Sequence, residues 1–204
     1  MSTRLRMLAA LLCLGACTTT STIFTSTWKA PDAQAVSPVG KTVAAVFVSP
    51  NESRRRSAED ALAADITARG AHGIAAYTVL PDERSYTGDK ALATLKQAGA
   101  NGAVIMRVVG RDQRITYTPG YAAPGPYGGF GPYWGYGWRT VYEPGYLQTD
   151  NLVSVETLVY SLTNDKLLWA STSRTTNPRN IDSLVNEVAD VTAREMVKQG
   201  ILTP

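Results

Sequence analysis

The sequence predicts an α/β (α+β) domain with a mixed sheet of about five strands and helices packed on it. Three observations predict it. Apolar, strand-like runs alternate with helical stripes over residues 42–109. Two β-rich runs then flank the polar turn Thr163-Asn164-Asp165. Last comes an amphipathic stretch from about Ile181 to Gln199. Alternating strands and helices build parallel or mixed sheets with right-handed crossovers, and an apolar helical stripe needs a sheet to cover. The chain has 204 residues and is 44% hydrophobic, which suits one domain with a substantial core.

The elements follow in the order β-α-β-α-β, long loop, β-hairpin, α. Thr42 to Val48 is a near-continuous apolar run, the pattern of a strand buried on both faces. Pro50 and Asn51 break it, and a helix follows from about Ser53 to Arg69. Ala58, Ala61, Leu62 and Ile66 fall on one stripe, and Gly70 is placed to end it. Gly73 to Leu80 reads as a second strand closed by Pro81. Gly88 to Ala98 reads as a second helix with Leu92 and Leu95 inward, and Ala103 to Val109 as a third strand. Leu152–Leu162 and Lys166–Arg174 are the hairpin arms, with Trp169 in the second. In the final helix Ile181, Leu184, Val185, Val188, Val191 and Met196 share a face, Asn180 can cap it and Gly200 ends it.

Residues 117–147 form an insert of unusual composition. It holds ten of the chain's aromatic residues, among them Tyr121, Tyr127, Phe130, Tyr133, Trp134, Tyr136, Trp138 and Tyr142. Glycine and proline fill most gaps, which prevents a long helix or a regular strand. Four readings fit: a weakly packed low-complexity loop, a protein-docking surface, a headgroup contact and a glycan-stacking surface. The aromatic rings are the possible partner contacts. Nucleic acid is not an expected partner, because base stacking works with interleaved cations and Arg139 is alone there.

The first sixteen residues read as a leader. Arg4 and Arg6 precede a short apolar run, about half the roughly 20 residues that would span a bilayer. Leu14-Gly15-Ala16-Cys17 resembles the bacterial lipobox, in which the cysteine is acylated and becomes the first mature residue. That resemblance implies lipidation of Cys17 and a stable membrane anchor, since two or more acyl chains hold firmly. Thr18, not aspartate, follows it, which by the same resemblance implies the outer membrane with the domain facing the periplasm. Residues 17–41 are expected to be a Thr/Ser/Pro-rich tether, with Trp28 near the start of ordered structure, and residues 42–204 the domain. Losing Arg4 and Arg6 takes Lys and Arg from 20 to 18 against 17 acidic residues, so the exported form is near neutral.

No catalytic residue, metal site or cofactor is expected. Cys13 leaves with the leader and Cys17 is acylated, so no thiol remains for a disulfide or thiolate site. His72 is the single histidine and sits in a turn. Gly128-Gly129-Phe130-Gly131 lacks the Gly-Lys-Ser/Thr of a phosphate loop. Glu59-Asp60 and the pair Asp182, Glu187 read as solvated helix faces, and Arg54-Arg55-Arg56 as a solvated helix start or, alternatively, a basic patch.

Four short stretches carry a wider resemblance: Thr27-Trp28, Arg55-Arg56-Ser57-Ala58-Glu59-Asp60, Gly99-Ala100-Asn101-Gly102-Ala103-Val104 and Lys166-Leu167-Leu168-Trp169-Ala170. Together they resemble a family of uncharacterised bacterial outer-membrane lipoproteins. Asn101 stands where that family has aspartate, and Asp165 where it has glycine. The order of elements is also similar to the curli secretion lipoprotein, the lipoprotein activator of a penicillin-binding protein and the N-terminal domain of the Tol-Pal propeller protein. The resemblance implies a non-enzymatic envelope scaffold or accessory factor docking an envelope partner. A peptidoglycan- or glycan-binding module is the alternative.

Overall fold

The computed structural model describes residues 20–82, 85–120 and 144–203. Their strands are β1 (Ser21–Lys29), β2 (Thr42–Val48), β3 (His72–Ala75), β4 (Gly102–Thr118), β5 (Tyr146–Ser161) and β6 (Lys166–Thr176). The helices are α1 (Glu52–Ala68), α2 (Gly88–Gln97) and α3 (Ile181–Lys198). One mixed sheet runs in the order β1-β6-β5-β4-β2-β3. β3, β2 and β4 are parallel, while β4, β5, β6 and β1 are antiparallel. The expected α+β class and the helices on the sheet are what the chain adopts.

Four elements differ from expectation, one being β5, which starts at Tyr146 and not at Leu152. Residues 21–29, expected as part of the tether, form β1 on the free edge of β6. Composition suggested a linker, but Phe24 turns inward and meets the Trp169 ring edge-on at 5.9 Å. The second strand stops at Ala75 and gives way to a 3₁₀ turn at Ala76–Thr78. β4 runs to Thr118, well past the expected Val109, because β5 pairs with it along its length.

α1 and α3 cover one face of the sheet. Ala45 and Phe47 of β2, Met106 of β4 and Val155 of β5 meet Leu62, Ile66, Leu184, Val185 and Val188 there. α2 covers only one end of the other face, where Leu95 packs with Ala44 and Ala103. Trp169 is fully buried, and its indole N–H donates to Gln199 Oε1 at 3.0 Å, tying β6 to the end of α3. Gly73 lies so close to α1 that a Cβ would fall 2.2 Å from Ala63 O, so this helix rests directly on β3. Asn180 and Ser183 cap α3 reciprocally, as expected for Asn180. Asn101 accepts from Thr42 N at 3.0 Å and so aligns the starts of β2 and β4.

The expectation of solvated faces at Glu59 and at Arg54-Arg55-Arg56 is corrected in part. Glu59 is fully buried, and Arg55, one turn earlier, is 7% exposed and donates to Pro81 O at 3.2 Å. The Glu59 carboxylate accepts from Phe47 N at 3.2 Å and Tyr77 N at 2.7 Å. It therefore joins α1 to the end of β2 and to the 3₁₀ turn that follows β3. Arg54 and Arg56 do stay exposed, and Arg56 pairs with Glu52 at 2.5 Å. Asp182 is half-buried and accepts from the Ser57 hydroxyl, linking α3 to α1.

Removing the Glu59 carboxylate should be costly because it strands the buried amide of Phe47 and the half-buried amide of Tyr77, a buried one being worth about 1–3 kcal/mol when left unpaired. Glu59→Ala is expected to lose roughly 3 kcal/mol in urea unfolding, and Glu59→Gln, which keeps one acceptor, markedly less. A Glu59→Ala protein as stable as the parent would show that the tie is dispensable.

Candidate functional site

Two features stand out at opposite ends of the sheet. At one end β4 and β5 leave the helix-covered body together and continue as a two-stranded arm. Its register runs from Asp112↔Leu152 to Thr118↔Tyr146. Ile115 is 66% exposed, Tyr117 62%, Tyr146 59% and Leu147 69%, so this ribbon carries large apolar side chains with no core to bury them. Tyr117 pairs with Leu147 and shares its face with Ile115 two residues away. Where the strands approach their end, Gly145 is tight. A Cβ there would lie 2.7 Å from Tyr117 Oη and 2.8 Å from Thr118 O, so only glycine lets the chain return.

A polar clamp fixes the base of the arm. Asp150 is only 6% exposed. Its Oδ1 accepts from Gln148 Nε2 at 3.0 Å and Asn177 Nδ2 at 2.9 Å, and its Oδ2 from an Arg114 guanidinium nitrogen at 3.3 Å. Asn177, in the left-handed region at φ 50°, also accepts from Asn151 N through Oδ1 at 2.8 Å and donates its own N–H to Asn151 O at 2.8 Å. The Thr20 hydroxyl reaches Asn177 O at 3.5 Å. The chain ahead of β1, the exit of β6 and the base of the arm thus meet at one asparagine. Hydrogen bonds from Gln148 and Asn177, with help from Arg114, hold the Asp150 carboxyl below the usual carboxylate range.

At the other end lies a cavity of about 630 Å³, in the size range of small-molecule sites. Val43, Val104 and Val159 form its floor, Ile66 and Thr192 belong to the flanking helices, and Val36 lies in the β1–β2 connection above. Thr192 is 5% exposed and its hydroxyl has no hydrogen-bond partner among the described residues. The connection is held down by Val36 N donating to Ile201 O at 2.8 Å and by Lys166 Nζ donating to Asp32 Oδ2 at 2.7 Å. That ion pair lowers the Asp32 carboxyl and raises the Lys166 ammonium. Arg69 bridges α1 to α3 at the rim, meeting Asp65 at 2.8 Å and Asp190 at 3.4 Å, and those carboxylates raise its guanidinium further.

The predicted contact residues Tyr121, Tyr127, Phe130, Tyr133, Trp134, Tyr136, Trp138 and Tyr142, and the predicted lipidation residue Cys17, lie outside the described residues. The described ends of the insert, Tyr117 and Tyr146, are strand residues of the arm. His72 is the exposed first residue of β3. Sequence reasoning missed the Asp150–Asn177 clamp and the cavity. The signals for them were faint: an acid in a polar stretch, and the small residues Ala189 and Ala193 inside an apolar stripe. Among the described residues there is no group of three His, Cys, Asp or Glu side chains that could hold a metal, and no helix long and apolar enough to cross a membrane.

The described residues define an α+β sheet domain with a projecting antiparallel arm. No family model and no curated protein sequence matches the chain. Among solved structures, a point-variant PelC dodecamer from Paraburkholderia phytofirmans is similar at a TM-score of 0.46 and 15% identity, over 86% of this chain and 96% of that one. A PelC dodecamer from the same organism in another crystal form gives 0.45 and 14%, over 86% and 96%. Lipoprotein GNA1162 from Neisseria meningitidis gives 0.40 and 12%, over 79% and 99%.

Because the folded-state carboxyl of Asp150 is the more acidic, its contribution to the clamp is complete above about pH 4 and is lost as pH falls below that. NMR titration should show the Asn151 and Asn177 amides moving together in that acid range, and Asp150→Asn should abolish the transition. In the cavity wall, Thr192→Val removes a buried hydroxyl without changing shape and is expected to leave thermal stability equal or raise it by about 1 kcal/mol. A loss of stability would mean that the hydroxyl has a partner in solution.

Proposed function

We propose that this chain is a non-enzymatic envelope lipoprotein, held in the outer membrane by acyl chains on Cys17, that docks an envelope protein through the aromatic insert. The observation that carries this reading is the β4–β5 arm. Its strands pair over 17 and 16 residues, far beyond what the helices cover, and the insert is the segment that joins them. A ribbon with no core to line is built to present what lies at its end. Tyrosine and tryptophan there offer apolar area with polar tips, the composition of protein hot spots. The leader and Leu14-Gly15-Ala16-Cys17 support the anchor, and β1 starting at Ser21 supports a short tether, with the domain held near the lipid.

A photo-crosslinking residue in place of Tyr133, introduced in intact cells, should give one defined crosslinked envelope protein. With the crosslinker moved to Tyr117, deleting residues 121–142 should abolish capture of that protein while leaving the thermal unfolding midpoint within a few degrees. Crosslinking at Tyr117 that survives the deletion undiminished would remove the insert from the docking role.

A further inference from the structure

The geometry points to a membrane-contact surface on the arm. We propose that Ile115, Tyr117, Tyr146 and Leu147 lie at the headgroup–acyl boundary of the leaflet that holds Cys17. This deepens the proposed function and rests on its lipid anchor.

The argument is one of reach and direction. Ser21 pairs with Thr176, and Thr176 with Leu152, so these three residues mark one level across the sheet. β1 begins at that level, at the end of the sheet from which the arm leaves. From Leu152 the arm continues to Tyr146, about 20 Å further at ~3.3 Å per residue. Cys17 lies four residues before Ser21, and four residues of chain span at most about 14 Å. An acyl chain on Cys17 therefore brings the leaflet closer to the domain than the arm is long. With Thr20 held to Asn177 at the base of the arm, anchor and arm share an origin. With the sheet standing end-on to the leaflet, an arm of that length reaches the membrane surface.

Its chemistry fits that position. Ile115–Thr118 and Tyr146–Thr149 carry no charge, and four of these eight residues are large apolar or aromatic side chains, each at least 59% exposed. Ile115, Tyr117 and Leu147 line one face of the ribbon and Tyr146 the other; exposed apolar clusters mark contact surfaces, and tyrosine favours the interfacial zone. Charged residues begin only where the ribbon rejoins the body, at Arg111, Asp112 and Arg114, and Arg114 is already paired with Asp150. A two-stranded ribbon leaves unpaired amides and carbonyls along both outer edges, so it belongs at the hydrated headgroup level and not in the hydrocarbon core. The cavity end faces away from the membrane in this orientation.

The test uses the full, natively acylated chain in phosphatidylethanolamine/phosphatidylglycerol vesicles. Under the proposed reading the mature chain has no other free thiol, so Leu147→Cys and, at the far end of the domain, Lys96→Cys each give a single site for an environment-sensitive fluorophore. The Leu147→Cys probe should shift to the blue on reconstitution and be quenched several-fold more by headgroup-level spin-labelled lipid than the Lys96→Cys probe. Equal, weak quenching at both sites, in protein whose intact mass confirms acylation, overturns the membrane contact and leaves the anchor standing. A blue shift that appears equally in detergent and grows with protein concentration overturns it in favour of a second copy. A mass showing an unmodified Cys17 overturns both the anchor and the contact.

Discussion

β4 is the strand on which the rest of the sheet depends. It is the only one among the described strands that pairs parallel on one side and antiparallel on the other, with β2 and β5 respectively. The parallel half needs crossovers, and α1 and α2 supply them; the antiparallel half can be closed by short turns. β4 joins the two because its first residues, Ala103 to Val108, are mostly buried or half-buried like a central strand, while its later ones face water like a hairpin. A strand with two such regimes lets one chain build both a covered core and a free arm. The change falls at the bulge between Val108 and Gly110, where the extra residue re-aims the ribbon as it leaves the body.

Polar groups secure the body at the points where the apolar core cannot. Glu59 is buried among apolar residues and holds two backbone amides from different elements, so its charge is offset by directed hydrogen bonds. Asp150 performs a similar task at the base of the arm. Trp169 contributes at the other edge, with its ring against Phe24 and its N–H on Gln199. These three residues lock α1, the arm and the terminal elements to the sheet, and each does so through a partner distant in sequence.

The functional reading follows from where these locks leave freedom. The helices of the covered face do not extend along the arm, so the β4–β5 ribbon projects unsupported from the end where the chain enters β1. The opposite end holds the apolar cavity beneath the β1–β2 connection. The molecule thus has two unlike ends. One carries the exposed apolar side chains of the arm, and the other holds an apolar space under a strap pinned by Asp32–Lys166.

The sequence by itself determined the class of fold, the three helices and the strands whose side chains are buried, because burial imposes a periodicity that can be read locally. Thr42–Val48 and the Leu184, Val185, Val188 stripe are of this kind. It also carries the lipobox-like Leu14-Gly15-Ala16-Cys17 and the aromatic composition of the insert. Tertiary structure alone decided β1 and the outer halves of β4 and β5, since Ser21–Lys29 and Arg111–Thr118 are mostly exposed and are strands only because a neighbouring backbone pairs with them. It alone turned Arg55 and Glu59 inward as well. A helix stripe written in charged residues looks solvated until the opposing amides of Phe47 and Tyr77 are in place, and no local pattern announces them.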